Sequence, residues 1–309
     1  MLMAVQPPRV RDYISRDETA ALVRTSNLRA TWEVLFNFGV IAAAFALVGL
    51  WPHPVTFVIA AFLLAGRYIG LGILTHDAAH NALFRSRRLN TVLGRWVFAA
   101  PTLIDFDTYR EGHLSHHRNA GTRDDPDLAF VRAYPVSAAS MRRKVTRDVS
   151  GRTGLRDGLY LLMMTVRHRR PAPVLAHAVM FGGLWLLQMP WAYAAWWVGF
   201  LFIVPLCLRL RVMGEHGAVP DLLDRDARQH ARTTRAGWLA RLLVAPNHVN
   251  YHCEHHFFPT VPGYNLPRLH GVLTERGFYE EHPHAVARSY RLDRTRYQRL
   301  TRQGFNFEI

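Results

Sequence analysis

Two long stretches of this chain carry no charged side chain, and they constrain its fold more than any other feature. One covers residues 34–66 and the other residues 171–208, so they contain 33 and 38 residues. One membrane crossing needs about 20 residues, so each stretch suits two crossings joined by a turn. Proline and tryptophan interrupt both stretches, in WPHP at 51–54 and QMPW at 188–191, as is common at membrane boundaries.

The pattern predicts an all-α, multi-pass membrane protein with four transmembrane helices in two hairpins and a helical cytoplasmic cap. The predicted spans cover about residues 32–51, 54–75, 173–189 and 191–210. We expect a cytoplasmic N-terminal segment at 1–31, a membrane domain that carries the chemistry at 32–275, and a basic cytoplasmic tail at 276–309. The sequence Ser15-x-x-Glu18 is a capping box and predicts the start of an interfacial amphipathic helix in the first segment.

Positive charge is distributed unevenly around the predicted hairpins. Of the 38 Lys and Arg residues, 17 lie within residues 76–172 and 15 lie from residue 209 onward, whereas the two turns have none. The positive-inside rule therefore places both termini and the central segment in the cytoplasm, and we expect an integral protein of a bacterial inner membrane. The net charge of +15 then faces anionic lipid headgroups. No basic block with interleaved aromatic residues indicates a nucleic-acid partner.

Eight of the 17 histidines fall into three short groups, with the sequences HDAAH, HLSHH and HCEHH. Residues four apart share one face of a helix, and the middle histidine of an H-x-x-H-H group is rotated by about 100° from that face. Eight imidazoles exceed the three or four that one ion takes, so we expect two metal ions with room for an exogenous ligand. The eight predicted ligands are His76, His80, His113, His116, His117, His252, His255 and His256.

These three groups resemble the histidine boxes of the membrane fatty acid desaturase and hydroxylase superfamily. The resemblance extends to NTVLGRW, HHRNAGTRDDPDL and NYHCEHHFFPTVPGYNLPRLH, and it covers about residues 35–275. Members of this superfamily hold a non-haem di-iron centre. The resemblance therefore implies two iron ions, dioxygen as co-substrate, and electrons from a separate ferredoxin, rubredoxin or small haem protein. It also implies a ninth ligand, His216, in the sequence RVMGEHGAVP.

Several carboxylates lie within or beside the boxes. A metal-bound histidine usually donates its second N–H to a carboxylate or a carbonyl, so these residues are candidates for that role, with ordinary solvated or capping roles as the alternative. The candidates are Asp77, Glu111, Asp124, Asp125, Asp127, Glu215 and Glu254.

Three other polar residues need an interpretation. His230 and His270 are expected to have surface, interface or structural roles. Arg67 lies inside the second predicted span, where a charge is costly, so we expect it to reach lipid headgroups or a carboxylate near the site.

The resemblance implies an oxidoreductase, and three functions are compared. A desaturase acting on a lipid acyl chain is favoured because YNLPRLH at 264–270 resembles the end of box three in fatty acid desaturases. A carotenoid ketolase, or a lipid or alkane hydroxylase, is the alternative, and DDPD after box two also occurs in carotenoid ketolases. A non-enzymatic metal-binding or transport protein would need a polar path, but the predicted spans offer only Asn37, Arg67, His177 and weaker groups.

Overall fold

The computed structural model of the protein describes residues 7–290 and is all-α over that range, as predicted. Its single sheet there is a parallel pair of two-residue strands, β1 (Thr233–Thr234) and β2 (Val286–Ala287). The α-helices follow one another in chain order. They are α1 Val10–Tyr13, α2 Arg16–Val23, α3 Asn27–Leu50, α4 Pro54–Ala79, α5 Arg87–Leu93, α6 Phe106–Asn119, α7 Leu128–Val131, α8 Ala138–Val149, α9 Arg152–Arg167, α10 Pro171–Leu186, α11 Tyr193–Val198, α12 Val204–Glu215, α13 Ala227–His230, α14 Trp238–Leu243, α15 His252–Phe257 and α16 Leu266–Glu275.

Three helices within residues 7–290 are long and apolar enough to cross a membrane. They are α3, α4 and a continuous helix over Pro190–Glu215, which joins α11 to α12 through a π-helical segment at Gly199–Ile203. The predicted span at 173–189 corresponds to α10, which has 16 residues. Its length of about 24 Å falls short of the roughly 30 Å hydrocarbon core of a bilayer.

The two predicted turns lie together at one end of the helices. His53 caps α4, because its Nδ1 accepts a hydrogen bond from the Val55 N–H at 3.2 Å, and Pro54 takes the first helical position, where no N–H is needed. A Cβ added at Gly49 would lie 2.0 Å from the sulfur of Met189. The last turn of α3 therefore packs directly on the turn after α10.

Helix α4 is the centre of the molecule. It is buried over its second half, where Leu64, Leu71 and Leu74 join the main hydrophobic cluster, and it packs against α3, α11 and α14. The polar segments gather at the C-terminal end of α4. As a result, the last turn of this helix is surrounded by α6, α15 and the end of α12.

The N-terminal helices pack on α16 through a second hydrophobic cluster. The predicted capping box is confirmed: the Ser15 side chain accepts from the Glu18 N–H, and the Glu18 carboxylate accepts from the Ser15 N–H. Leu22 is buried with Leu269 and Phe278. Part of the predicted C-terminal tail is thus packed, and residues 291–309 of that tail lie outside the described range.

Candidate metal centre

Four segments bring histidines to the end of α4. His76 lies in the last turn of α4 and His80 is its C-terminal cap. Box two lies on α6 and box three on α15, and His216 directly follows the last residue of α12. All nine predicted ligands converge there, and they form two clusters.

The first cluster contains five histidines. Their ligand nitrogens all lie within 4.8 Å of one another. Nε2 of His255 lies 2.9 Å from Nε2 of both His76 and His117, and His113 Nε2 lies 2.9 Å from that of His80 and 3.1 Å from that of His117.

The second cluster contains His116, His216 and His256, whose ligand nitrogens satisfy the same distance limit. His252 joins them, because its Nε2 lies 2.7 Å from Nε2 of His216 and 3.1 Å from that of His256. His116 Nε2 lies 3.4 Å from His256 Nε2.

Helix geometry divides each H-x-x-H-H box between the clusters. His113 and His117 are four residues apart and share the first cluster. His116, which directly precedes His117, points to the second cluster. In box three the order is reversed, so that His252 and His256 lie in the second cluster and His255 lies in the first. Adjacent residues on a helix are rotated by about 100°, so one turn of α6 and one of α15 each serve both clusters.

Hydrogen bonds to the other ring nitrogens fix which tautomer several of these imidazoles adopt. His76 Nδ1 lies 2.7 Å from Asp77 Oδ1, His116 Nδ1 lies 2.7 Å from Asp125 Oδ1, and His216 Nδ1 lies 2.7 Å from the carbonyl oxygen of His230. These oxygens accept, so Nδ1 carries the hydrogen and Nε2 presents a lone pair.

Lone pairs facing one another at 2.7–3.4 Å repel unless a cation lies between them. Ligands bonded at about 2.1 Å are separated by roughly 3.0 Å in octahedral and 3.4 Å in tetrahedral geometry. The spacing of the imidazole nitrogens therefore fits one metal ion in each cluster.

Burial favours the neutral form of seven cluster imidazoles that lie outside the membrane helices. The pKa of His80 is lowered to about 4, mainly by burial and to a smaller extent by the charges of Arg110 and His116. The pKa of His216 is lowered to about 3, again mainly by burial, with a smaller contribution from His116. Burial and neighbouring imidazoles also hold several other pKa values well below the usual range. Those other values belong to His113, His117, His252, His255 and His256. Neutral imidazole is the form that binds metals, so no proton needs to leave these rings at neutral pH.

Two of the seven candidate carboxylates hydrogen bond to cluster histidines, namely Asp77 and Asp125, and Asp127 lies 3.8 Å from His116 Nδ1. Burial raises the pKa of the Asp125 carboxyl, but its hydrogen bond with His116 and other contacts outweigh burial, so the pKa is lowered overall. Asp125 is thus held as the anion that best orients the ring of His116.

The other four candidates make no hydrogen bond or ion pair with a cluster histidine in the described part of the chain. Glu254 is fully buried and accepts hydrogen bonds from Thr233, His270 and Tyr279, because it lies on the face of α15 opposite the clusters. Glu215 pairs with Arg211, and Asp124 and Glu111 are exposed.

The sequence predicts that Arg67 reaches lipid headgroups or a carboxylate, and within residues 7–290 no carboxylate hydrogen bonds to it. Its guanidinium donates through the two terminal nitrogens to neutral acceptors, namely Asn37 Oδ1 at 2.9 Å and the carbonyl oxygen of Leu242. Two histidines outside the boxes, which the sequence predicts to have surface, interface or structural roles, lie close to the site. His270 anchors Glu254, and His230 lies against the second cluster. Neither belongs to a box, so only long-range packing identifies them.

The helices and the two histidine clusters define the class of a membrane protein with a histidine-rich candidate metal site. Residues 50–290 match the fatty acid desaturase family, and the chain therefore belongs to that family. A β-carotene ketolase from a Paracoccus species is 32% identical over 261 residues, which cover 78% of this chain and 93% of the relative. A dihydrorhizobitoxine desaturase from Bradyrhizobium elkanii is 26% identical over 278 residues, covering 81% and 76%. A probable fatty acid desaturase from Sorghum bicolor is 24% identical over 241 residues, covering 63% and 57%.

Proposed function

We propose that the protein uses dioxygen to oxidise an unactivated C–H bond of a long apolar substrate at a pair of iron ions. The observation that carries this proposal is the presence of two adjacent clusters of imidazoles at the end of α4. Side-chain acids and bases are too weak for this chemistry, and a bound pair of irons would supply the activation of dioxygen.

The chain's own residues would hold the ions and keep the site ordered. Five nitrogens would bind one ion and four the other, so the second ion would have one protein ligand fewer and more room for an exogenous ligand. Asp77 and Asp125 would keep one ring in each cluster in the binding tautomer. Because His76, His116, His252 and His255 are each less than a tenth exposed, the surrounding helices would limit the access of water.

The first candidate reaction is ketolation of a carotenoid. Two β-carotene ketolases from Paracoccus species are 32% and 31% identical to this chain over 93% of their length, and the DDPD sequence at 124–127 is in keeping with this candidate. Conversion of a methylene to a carbonyl takes two hydroxylations. Each inserts one oxygen atom of dioxygen and reduces the other to water with two electrons and two protons, and the resulting diol then loses water.

The second candidate reaction is desaturation of a lipid acyl chain. It is favoured by the YNLPRLH sequence at 264–270 and by the desaturases among the relatives. In this reaction two neighbouring C–H bonds are lost, and dioxygen is reduced to two waters with two electrons and two protons. In either reaction we expect a separate ferredoxin, rubredoxin or small haem protein to supply the electrons.

For the membrane arrangement we propose that α10 forms a fourth, short span, paired with the Pro190–Glu215 helix. The contact between Gly49 and Met189 supports this arrangement, because it brings both turns to the same side. The many basic residues at 76–172 and after 209 support a cytoplasmic location for the clusters and both termini, with a bacterial inner membrane as the site.

One experiment separates the two candidate reactions. The chain and its His255→Ala variant are expressed in a bacterial host that makes β-carotene, and pigments and fatty acids are analysed by mass spectrometry. Ketolated pigment that depends on His255 supports the first candidate, and new acyl double bonds that depend on it support the second.

The matched control is His248→Ala. His248 is partly buried and close to box three, but its Nε2 lies 3.9 Å from Glu33 rather than in a cluster, so product formation should persist. Unchanged pigments and lipids, with both irons bound and reducing partners co-expressed, would contradict the proposed function.

A further inference from the structure

A tenth histidine, His230, lies beside the second cluster, in addition to the nine that form the two clusters. It ends α13 and is only 5% exposed, and its ring centroid lies 5.2 Å from that of His256. Its carbonyl oxygen accepts the hydrogen bond from His216 Nδ1 at 2.7 Å. Its main chain and its ring are therefore both next to histidines of this cluster.

The tautomer of His230 is fixed by its own surroundings. Nδ1 lies 2.8 Å from the carbonyl oxygen of Asp224. A carbonyl can only accept, so Nδ1 carries the hydrogen and Nε2 presents a lone pair. That Nε2 atom is buried and has no hydrogen-bond partner within residues 7–290.

A buried, unpaired acceptor is costly. Leaving such a group unsatisfied costs about 1–3 kcal/mol, and in native proteins an ordered water or an ion commonly explains one. The position of His230 beside the second cluster indicates where that partner would be.

The spacing of the nitrogens argues against direct binding of His230 to the same ion. The cluster nitrogens pair at 2.7–3.4 Å, as ligands of one ion do. His230 Nε2 makes no such pair with any of them in the described range.

A polar atom that faces a site from beyond hydrogen-bonding distance is commonly bridged to it by one water. The second cluster has four imidazoles where the first has five, so it has a position open for that water.

We propose that His230 is a positioning residue of the second cluster, whose Nε2 accepts a hydrogen bond from a water at the open position of that cluster. This inference rests on the proposed function to the extent that the cluster holds an iron ion. It assigns His230 a role that neither the box pattern nor the resemblance includes.

Two substitutions at His230 test the proposal, and both keep the main-chain contact with His216. His230→Leu removes the acceptor, whereas His230→Gln supplies an amide oxygen at nearly the same reach. Full-length protein is purified in detergent and loaded with iron. Iron content is measured by mass spectrometry, and the environments of the two ions are compared by Mössbauer spectroscopy.

We expect His230→Leu to retain two irons per chain, with an altered signal from one of them, and His230→Gln to restore the wild-type signal. Turnover by the leucine variant should fall about 10- to 100-fold, as for other residues that orient a metal site indirectly. His248→Leu, at a partly buried histidine away from both clusters, should leave both signals unchanged.

Two results would overturn the proposal. Loss of one iron in a folded His230→Leu variant would make His230 a direct ligand, and a signal identical to wild type would remove any role at the cluster. Spectra do not depend on the substrate. If wild-type protein binds two irons but oxidises neither carotenoid nor acyl chains, the proposed function fails. The spectra of the His230 variants can still be compared with the wild-type spectrum, so the role of His230 is tested separately.

Discussion

At the scale of single residues, small differences in side-chain direction decide which carboxylates serve the clusters. Asp124 and Asp125 are adjacent in sequence, yet of these two only Asp125 hydrogen bonds to a cluster histidine in the described part of the chain. Its other contact is with the Asp127 N–H at 2.8 Å, which fixes the carboxylate in place. The tight turn after α6 thus selects one of the acidic residues that follow box two.

Replacing Asp125 should weaken the second cluster and leave the first intact. In Asp125→Leu the His116 ring loses the acceptor that fixes its tautomer, so the affinity of one ion should fall about 10- to 100-fold. Metal content during titration with a chelator measures this. Asp124→Leu, at the exposed neighbour, is the control and should behave like wild type. Equal loss of both ions from Asp125→Leu would contradict the assignment.

The lowered histidine pKa values predict a pH-dependent stability for protein stripped of metal. Burial lowers the pKa of His80 to about 4 and that of His216 to about 3 in the folded state, against about 6.5 when unfolded. Between these values the unfolded chain binds more protons, so stability should fall as pH decreases from about 6.5 to 4.

Thermal unfolding of the stripped protein across this pH range tests the prediction. The melting temperature should be nearly constant from pH 7 to 8 and should fall below pH 6.5. His80→Gln should show a shallower decline, because one titrating ring is absent. A melting temperature that rises on acidification would show that these rings are not neutral in the folded state.

At the scale of helices, glycines set how closely the membrane helices approach. A Cβ at Gly199, in the π-helical segment, would lie 2.6 Å from the carbonyl oxygen of Ala61 and 3.2 Å from the Ala65 nitrogen. Both are backbone atoms of α4, which cannot move independently. The close approach of α4 to the Pro190–Glu215 helix therefore requires glycine at this position.

Gly199→Ala should destabilise the protein, whereas Gly39→Ala should not. A Cβ at Gly39 would meet no atom within 4 Å, and alanine in a helix is favoured over glycine by roughly 0.5–1 kcal/mol. Forcing an added carbon into the packed site costs about 1–3 kcal/mol. Melting temperatures in one detergent should therefore shift in opposite directions, and a decrease of similar size in both variants would contradict the packing argument.

At the scale of the whole molecule, the location of the clusters relative to the membrane follows from the proposed topology. The two free cysteines, Cys207 and Cys253, are buried, so they can be replaced by alanine to give a background without reactive thiols. Leu187→Cys reports on the turn after α10, and Arg143→Cys reports on the surface of α8. Both parent side chains are exposed.

In intact cells, a membrane-impermeant maleimide should label Leu187→Cys and not Arg143→Cys. Permeabilised cells should allow both to react, which controls for thiol reactivity. Labelling of both positions from the same side would contradict the four-span arrangement.

Much of the site follows from local sequence rules. The four-residue spacing within each box places pairs such as His76 and His80 on one helical face, and the offset in H-x-x-H-H separates His116 from His113 and His117. The charge-free stretches identify the apolar helices in the same way. The length of α10 could not be obtained from charge spacing, because its end depends on the turn at Leu187–Met189.

The sequence by itself determined the apolar helices, the helical faces of the boxes and the excess of imidazoles over the needs of one ion, since each depends on residues a few positions apart. Only the tertiary structure decided which boxes contribute to the same cluster, as with His76 and His255, 179 positions apart. It also decided that Asp125 orients His116 and that Glu254 faces away. Such contacts depend on how whole helices pack, and the spacing of residues along one segment does not specify that packing.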